Sequence, residues 1–371
     1  MVHSPPETAT DRPHRPGRAA PGAATARRGG LPGPRAAERD LCFLLLVTCA
    51  VPLAGSLLDF ARLSGAPVHG WSAAVLPWLR LLCSLAAGVR LVALVRARPS
   101  RWDAARRRAA LALAAAAVAG RAAALVGPDG PDGPGGTVWG VAGSLATTAS
   151  LAWLCGELAV AHGAGWRGLG VGPRGARTAA GRLVAVAVFG AVVVLASTTV
   201  TWMARLQAGL PETVPWLPVL DRAQSAALGW RGPADMVANV LFTGVAEEMV
   251  LVGAVVVLGR AARRPLWVLC ALSLLLRVAA HLYLGAPGVA LVLLGSCALL
   301  LYLRTGRLTP LVAGHVVYDL AASLVPSPAV LGSLVLAALF CSGAAFALWL
   351  ARFAPATAPE GSRVRGGARR A

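Results

Sequence analysis

A chain of 371 residues that is 57% hydrophobic and only 14% charged is not an ordinary soluble domain, in which about a quarter of residues carry charge. Its formal charge of +19 comes from arginine without a single lysine, and it lies in tails and in loops between apolar runs. That placement, with no basic face interleaved with aromatics, argues against a nucleic-acid partner and for a membrane topology signal. With a mean hydropathy of +0.66, the expected fold class is all-α: a polytopic membrane helix bundle of about 8–10 transmembrane helices. Abundant Ala, Gly, Pro and Arg without lysine also fits GC-rich bacterial coding.

Residues 1–40 hold Pro, Gly, Ala and Arg with almost no larger aliphatic residue, which predicts a disordered basic tail. Arg27-Arg28 lacks the flanking residues of a twin-arginine signal, and the first apolar run begins only at Leu41. Ten candidate spans follow, at 41–61, 72–95, 109–126, 137–161, 183–203, 236–259, 266–284, 288–303, 308–325 and 329–351, and 353–371 forms a basic C-terminal tail. Arg80, Arg90 and Arg121 lie inside the second and third spans, which suggests tilt or snorkelling.

Arginine placement orients the bundle. Seven fall in the N-terminal tail, six in the 96–108 loop, four in the 163–182 loop and three in the 260–264 loop. Arg304 and Arg307 lie on the same side, while the stretch Gly127–Gly136 and the turns at 285–287 and 326–328 have none. Both termini are therefore expected in the cytoplasm of a multi-pass cell-membrane protein. Residues 204–235 go outside; their Arg205, Arg222 and Arg231 are balanced by Glu212, Asp221 and Asp235, and Trp216 and Trp230 suit an interface. The expected organisation is a tail (1–40), N-terminal transmembrane helices (41–162), a core carrying the chemistry (163–352) and a second tail (353–371). The seven cysteines (Cys42, Cys49, Cys83, Cys155, Cys270, Cys297 and Cys341) all lie in apolar stretches without a CxxC and read as buried core thiols.

Six ionisable groups interrupt three of these apolar runs. Glu247 and Glu248 sit mid-span, where two carboxylates are expensive unless paired, hydrated or catalytic. Reading them as helix-end groups in water would need a span boundary that splits the run in half. Neighbours on an α-helix point about 100° apart, so one glutamate is expected to face a cavity and the other an adjacent helix. Arg277 with His281, and His315 with Asp319, are both spaced i, i+4 and so share a helical face. Asp319 can orient the His315 ring. The competing explanations are an interfacial histidine near the outer end of its span, next to Tyr283, for His281, and hydrogen bonding within the bundle purely for packing for His315. Glu157 and Asp59 are lone acids near span ends, suited to interface or helix-contact roles. The set can bind a divalent metal through His281, His315 and a carboxylate, or hold a water between a glutamate base and histidines that stabilise an oxyanion. Either arrangement is hydrolytic, and no HExxH, GxSxG or Ser/Lys pattern suggests another protease chemistry.

At these residues the chain resembles the CAAX prenyl protease and bacteriocin-processing (CPBP, or Abi) family of intramembrane proteases, marked by EExxxR, FxxxH and HxxxN/D motifs on successive helices. The matching positions are Glu247-Glu248 with Val252 at the arginine, Arg277 at the phenylalanine with His281, and His315 with Asp319. The run from Arg304 to His315 is similar to the family's approach to its third motif, and the likeness spans roughly residues 165–350. The resemblance implies Glu247 as the catalytic glutamate that activates water, with Glu248 beside it. His281 and His315 would bind the water, oxyanion or a zinc ion, and Asp319 would fill the last motif position. The two departures suggest a link: Arg277 supplies the cation missing at position 252 and pairs with Glu248.

The function expected is therefore an intramembrane endopeptidase cutting a membrane-associated protein or peptide within the bilayer. The alternatives are a non-catalytic membrane protein of the same fold, such as a bacteriocin-immunity or scaffold factor, and a proton-coupled transporter. The transporter reading lacks the inverted repeat and matching broken helices such proteins show.

Overall fold

The computed structural model describes residues 31–68, 70–97, 103–126, 134–171 and 230–324. The expected spans at 183–203 and 329–351, most of the 204–235 segment and the C-terminal tail lie outside them. Every regular element among the described residues is a helix, and the fold is an all-α polytopic bundle. Six helical segments there are long and apolar enough to cross a bilayer: Pro34–Leu63, Ala74–Ala97, Ala104–Val126, Thr137–Ala161, Pro233–Ala261 and Pro287–Thr305.

Helix α1 (Pro34–Leu63) begins seven residues before the first expected span. Pro34 takes the first turn, where its missing N–H costs nothing. The last tail residues join the helix because they have contacts to make. Ala37 is buried, and Asp40 accepts from Arg90 at 2.5 Å and meets His162 Nε2 at 3.0 Å. Arg90, expected to snorkel, is thus held by an acid that composition alone had assigned to the tail.

Helices α2 (Trp71–Ala97), α3 (Asp103–Val126) and α4 (Pro134–Ala161) pack in sequence. α3 and α4 approach most tightly at Gly120 and Gly143, where a Cβ on Gly120 would lie 2.7 Å from the Gly143 backbone. Ser84 and Thr147 join α2 to α4 through their hydroxyls at 2.8 Å. Glu157, wholly buried, meets Arg106 of α3 and accepts from Trp153 Nε1 at 2.9 Å, the helix-contact role expected of it. Asp59 faces Arg62 one turn on, at 3.8 Å.

A short turn, α5 (Gly165–Gly168), leads out of α4, and the Gly170 carbonyl accepts from Leu308 N at 3.0 Å. The chain is described again through α6 (Pro233–Ala261), α7 (Leu266–Ala279), α8 (Leu291–Thr305) and α9 (Thr309–Leu324). α7 stops five residues short of the expected span at 266–284, and two 3-10 turns, Leu282–Leu284 and Ala286–Ala290, carry the chain to α8. Between them Gly285 takes φ 71, a left-handed conformation that side chains rarely adopt.

One apolar cluster runs through the bundle, from Leu44 of α1 and Leu91 of α2 to Leu154 of α4, Val250 of α6 and Leu299 of α8. α1 also packs on α6, α7 and the Leu282–Leu284 turn, so the N-terminal helices touch the segment that carries the ionisable groups. Cys49 and Cys155 are buried as expected; Cys83, Cys270 and Cys297 are half-buried, and Cys42 is exposed on the outer face of α1. An apolar stretch in a membrane helix has a lipid face as well as a core face, and Cys42 falls on the former.

Candidate active site

α6 starts at Pro233 behind Gly232. Asp235 in its first turn accepts from Arg231 N at 3.2 Å, a favourable place for an acid at a helix N-terminus. Its middle, Gly244–Ala254, is wound as a π-helix, the rare i→i+5 form that is frequent at functional sites. Gly244 allows the close passage of α9, since a Cβ there would sit 2.6 Å from Val316 Cγ2. From α4 the Cys155 thiol donates to the Met249 carbonyl at 3.7 Å, within the widened stretch.

The wider winding brings Glu247 and Glu248 closer in angle than an α-helix would. The expectation that they face different surroundings is met only in part, because both reach one cation. Arg277 of α7 lies fully buried, its Nη1 2.8 Å from Glu247 Oε2 and its Nη2 2.9 Å from Glu248 Oε1. Nη2 also donates to the Glu247 carbonyl at 3.0 Å. The pair expected from the sequence, Arg277 with Glu248, is present, and Glu247 shares the same guanidinium. Gly295 of α8 leaves room for it: a Cβ there would lie 3.3 Å from Arg277 Cδ and 2.6 Å from Leu274 Cδ2. Val252, at the motif's arginine position, is buried in the apolar cluster.

Each histidine turns to a different glutamate. His281 Nε2 lies 3.4 Å from Glu247 Oε1, and its Nδ1 lies 2.8 Å from the Arg277 carbonyl. A carbonyl only accepts, so Nδ1 carries the proton and Nε2 is left to face the carboxylate. His281 sits past the end of α7, and the helical i, i+4 side-chain contact expected with Arg277 is replaced by this ring-to-backbone bond. His315 donates from Nδ1 to Glu248 Oε1 at 2.8 Å, and its Nε2 lies 3.5 Å from Asp319 Oδ2. The ring is therefore oriented mainly by Glu248, with Asp319 at the far nitrogen.

The expected metal pair, His281 with His315, is not the set that converges. Among the described residues the compact group is Glu247, Glu248 and His315, whose ligand atoms lie within 4.8 Å of one another. His281 is not part of that group; its Nε2 lies 3.4 Å from Glu247 Oε1. Two carboxylates and an imidazole are fitting donors for zinc, so the group can hold a metal ion. Arg277 competes for the same oxygens. Glu248 Oε2 and Arg277 Nε are buried without a hydrogen-bond partner among the described residues, so the cluster retains capacity for a polar guest.

Two contacts at the site had no sequence signal. The Ser56 hydroxyl of α1 donates to the Ala280 carbonyl at 2.6 Å and accepts from Tyr283 N at 3.1 Å, on either side of His281. Gly288 packs against the His281 carbonyl, 2.8 Å from where its Cβ would be.

Residues 229–321 match the family described as Rce1-like, the Type II CAAX prenyl endopeptidase Rce1-like family. The match covers about a quarter of the chain and contains all three motif positions, in keeping with the resemblance read from them. No curated protein and no solved structure matches the chain.

Proposed function

We propose that this chain, a multi-pass membrane protein whose residues 229–321 are an Rce1-like segment of the CPBP family, is an intramembrane endopeptidase. The observation that carries the reading is the buried assembly of Glu247, Glu248, Arg277 and His315, with His281 beside it, inside an apolar bundle. Five functional groups drawn from three elements and the loop after α7 are costly to bury together for packing alone.

Glu247 takes a proton from a water held beside His281 Nε2, and the resulting hydroxide attacks the scissile carbonyl carbon. His315, held at Nδ1 by Glu248, stabilises the oxyanion from Nε2, which lies 3.5 Å from Asp319 Oδ2. The C–N bond then breaks, and the proton on Glu247 passes to the leaving amine, restoring the carboxylate. Arg277 and Glu248 hold Glu247 and His315 in place throughout. A divalent metal would be held by Glu247, Glu248 and His315 and would supply Lewis-acid polarisation of the water or carbonyl. The substrate is a membrane-associated protein or peptide, the enzyme lies in the cell membrane, and both termini face the cytoplasm.

A non-catalytic scaffold or immunity protein has one observation in its favour: Arg277 ties the candidate base itself into an ion pair. Cleavage of a reporter peptide in proteoliposomes separates the two readings. Glu247→Gln should slow cleavage about 10²- to 10⁴-fold with the fold retained. Equal rates for wild type and variant would remove the enzymatic reading.

A further inference from the structure

We infer that Ser56 of α1, outside the family segment, is a positioning residue for His281, so that the N-terminal helices complete the site. The inference rests on the endopeptidase reading for its kinetic consequence and on geometry for the rest.

α7 ends at Ala279, and the chain must then place His281 while turning into the 3-10 turn Leu282–Leu284. In a continuous 3-10 turn the Tyr283 amide would bond the Ala280 carbonyl directly, three residues back. Instead the Ser56 hydroxyl stands between them, donating to Ala280 O at 2.6 Å and accepting from Tyr283 N at 3.1 Å. The turn is thereby wedged open at the residue that carries the imidazole. His281 takes φ −115 and ψ 15, outside the helical run, and its ring reaches Arg277 O and Glu247 Oε1 from there.

Ser56 is itself almost fully buried, and α1 packs along the Leu282–Leu284 turn. A serine in an apolar helix commonly bonds its own helix one turn back. Here the hydroxyl is spent on another element, 224 and 227 residues away. Closure of the turn on loss of the wedge would draw the backbone at 280–283 inward and shift the imidazole from Glu247. A displacement of about 1 Å at a reacting group costs on the order of 10²-fold in rate.

The test uses the full chain in lipid nanodiscs, with Ser56→Ala and Ser56→Thr measured for cleavage kinetics and amide hydrogen exchange. Ser56→Ala should lower kcat about 10- to 100-fold with KM within about twofold. It should also alter exchange in peptides spanning 280–285, while peptides from α2 to α4 keep wild-type protection. Ser56→Thr retains the hydroxyl and should recover most of the rate. Unchanged exchange at 280–285 would overturn the wedge, and altered exchange with unchanged kcat would overturn the positioning role. Loss of protection throughout the bundle in both variants would make Ser56 a folding residue and defeat the positioning role. Failure of the endopeptidase reading shows separately, as equal cleavage by wild type and Glu247→Gln, and the exchange comparison still decides the wedge.

Discussion

Replacing Arg277 by Met keeps most of the apolar stem and removes the charge together with its hydrogen bonds to Glu247 and Glu248, so it isolates what the guanidinium does. Arg277 and Glu248 are both fully buried, and Glu247 is nearly so, so bulk water screens their charges little. The guanidinium contacts both carboxylates, at 2.8 Å and 2.9 Å, and no other arginine is described in contact with either. Removing one partner of a buried pair costs about 3–5 kcal/mol, because the remaining charge is stranded. In the single variant two adjacent carboxylates are stranded together, so the loss should reach that range. Glu248→Gln removes one of them and keeps an oxygen to accept from His315 Nδ1. The double variant should then be less unstable than the two single losses added, by about 2 kcal/mol or more, a coupling typical of residues in one network. Tryptophan fluorescence during titration of mixed micelles with a denaturing detergent gives the four stabilities. Additivity within about 0.5 kcal/mol would mean that Arg277 does not neutralise Glu248, and the electrostatic account of the site would fall.

Gly295→Val should destabilise the bundle by about 1–3 kcal/mol, through the clash its Cβ would make with Leu274 and Arg277, and should lower cleavage together with stability; a variant as stable as wild type in the same titration would show that α8 yields freely there. Incubation with a strong chelator should leave the cleavage rate unchanged, because Arg277 already supplies the cation to both carboxylates. Loss of rate restored by added zinc, with one metal per chain by elemental analysis, would place the ion in the Glu247, Glu248 and His315 group instead.

Periodicity made the three motifs visible, and the reason is physical: a charge in an apolar run is rare enough that its spacing carries information. His315 and Asp319 keep their i, i+4 relation on α9 because nothing interrupts that helix between them. Arg277 and His281 lose theirs because α7 ends at Ala279, and no proline or glycine marks the stop before Gly285. The π winding of 244–254 was equally hidden, since its residues are as compatible with i→i+4 bonding as with i→i+5. That winding changes the chemistry read from Glu247 and Glu248: two residues expected to diverge converge on one guanidinium. Composition misjudged the start of α1 for another reason. Arg35, Glu38 and Arg39 read as tail, yet Asp40 beyond them is drawn into the bundle by Arg90 and His162. A contact partner 50 or 122 residues away leaves no local trace, and the same is true of Ser56.

The position of the cation has a consequence for how the site is put together. An arginine at 252 would share a helix with Glu247 and Glu248, and the charges could meet within a single element. Val252 instead packs in the apolar cluster, and the cation arrives on α7, across the turn at 262–265. Until α6 and α7 pair, each helix carries uncompensated charge at a depth where that is expensive. Their association is therefore driven by electrostatics that neither helix can satisfy alone, and it fixes the register of one against the other, because the Arg277 head must reach Glu247 and Glu248 at once. The same α6–α7 register places the Arg277 carbonyl that holds His281 Nδ1. Charge pairing and imidazole placement thus depend on one residue, and Arg277 couples the stability of the hairpin to the geometry of its chemistry.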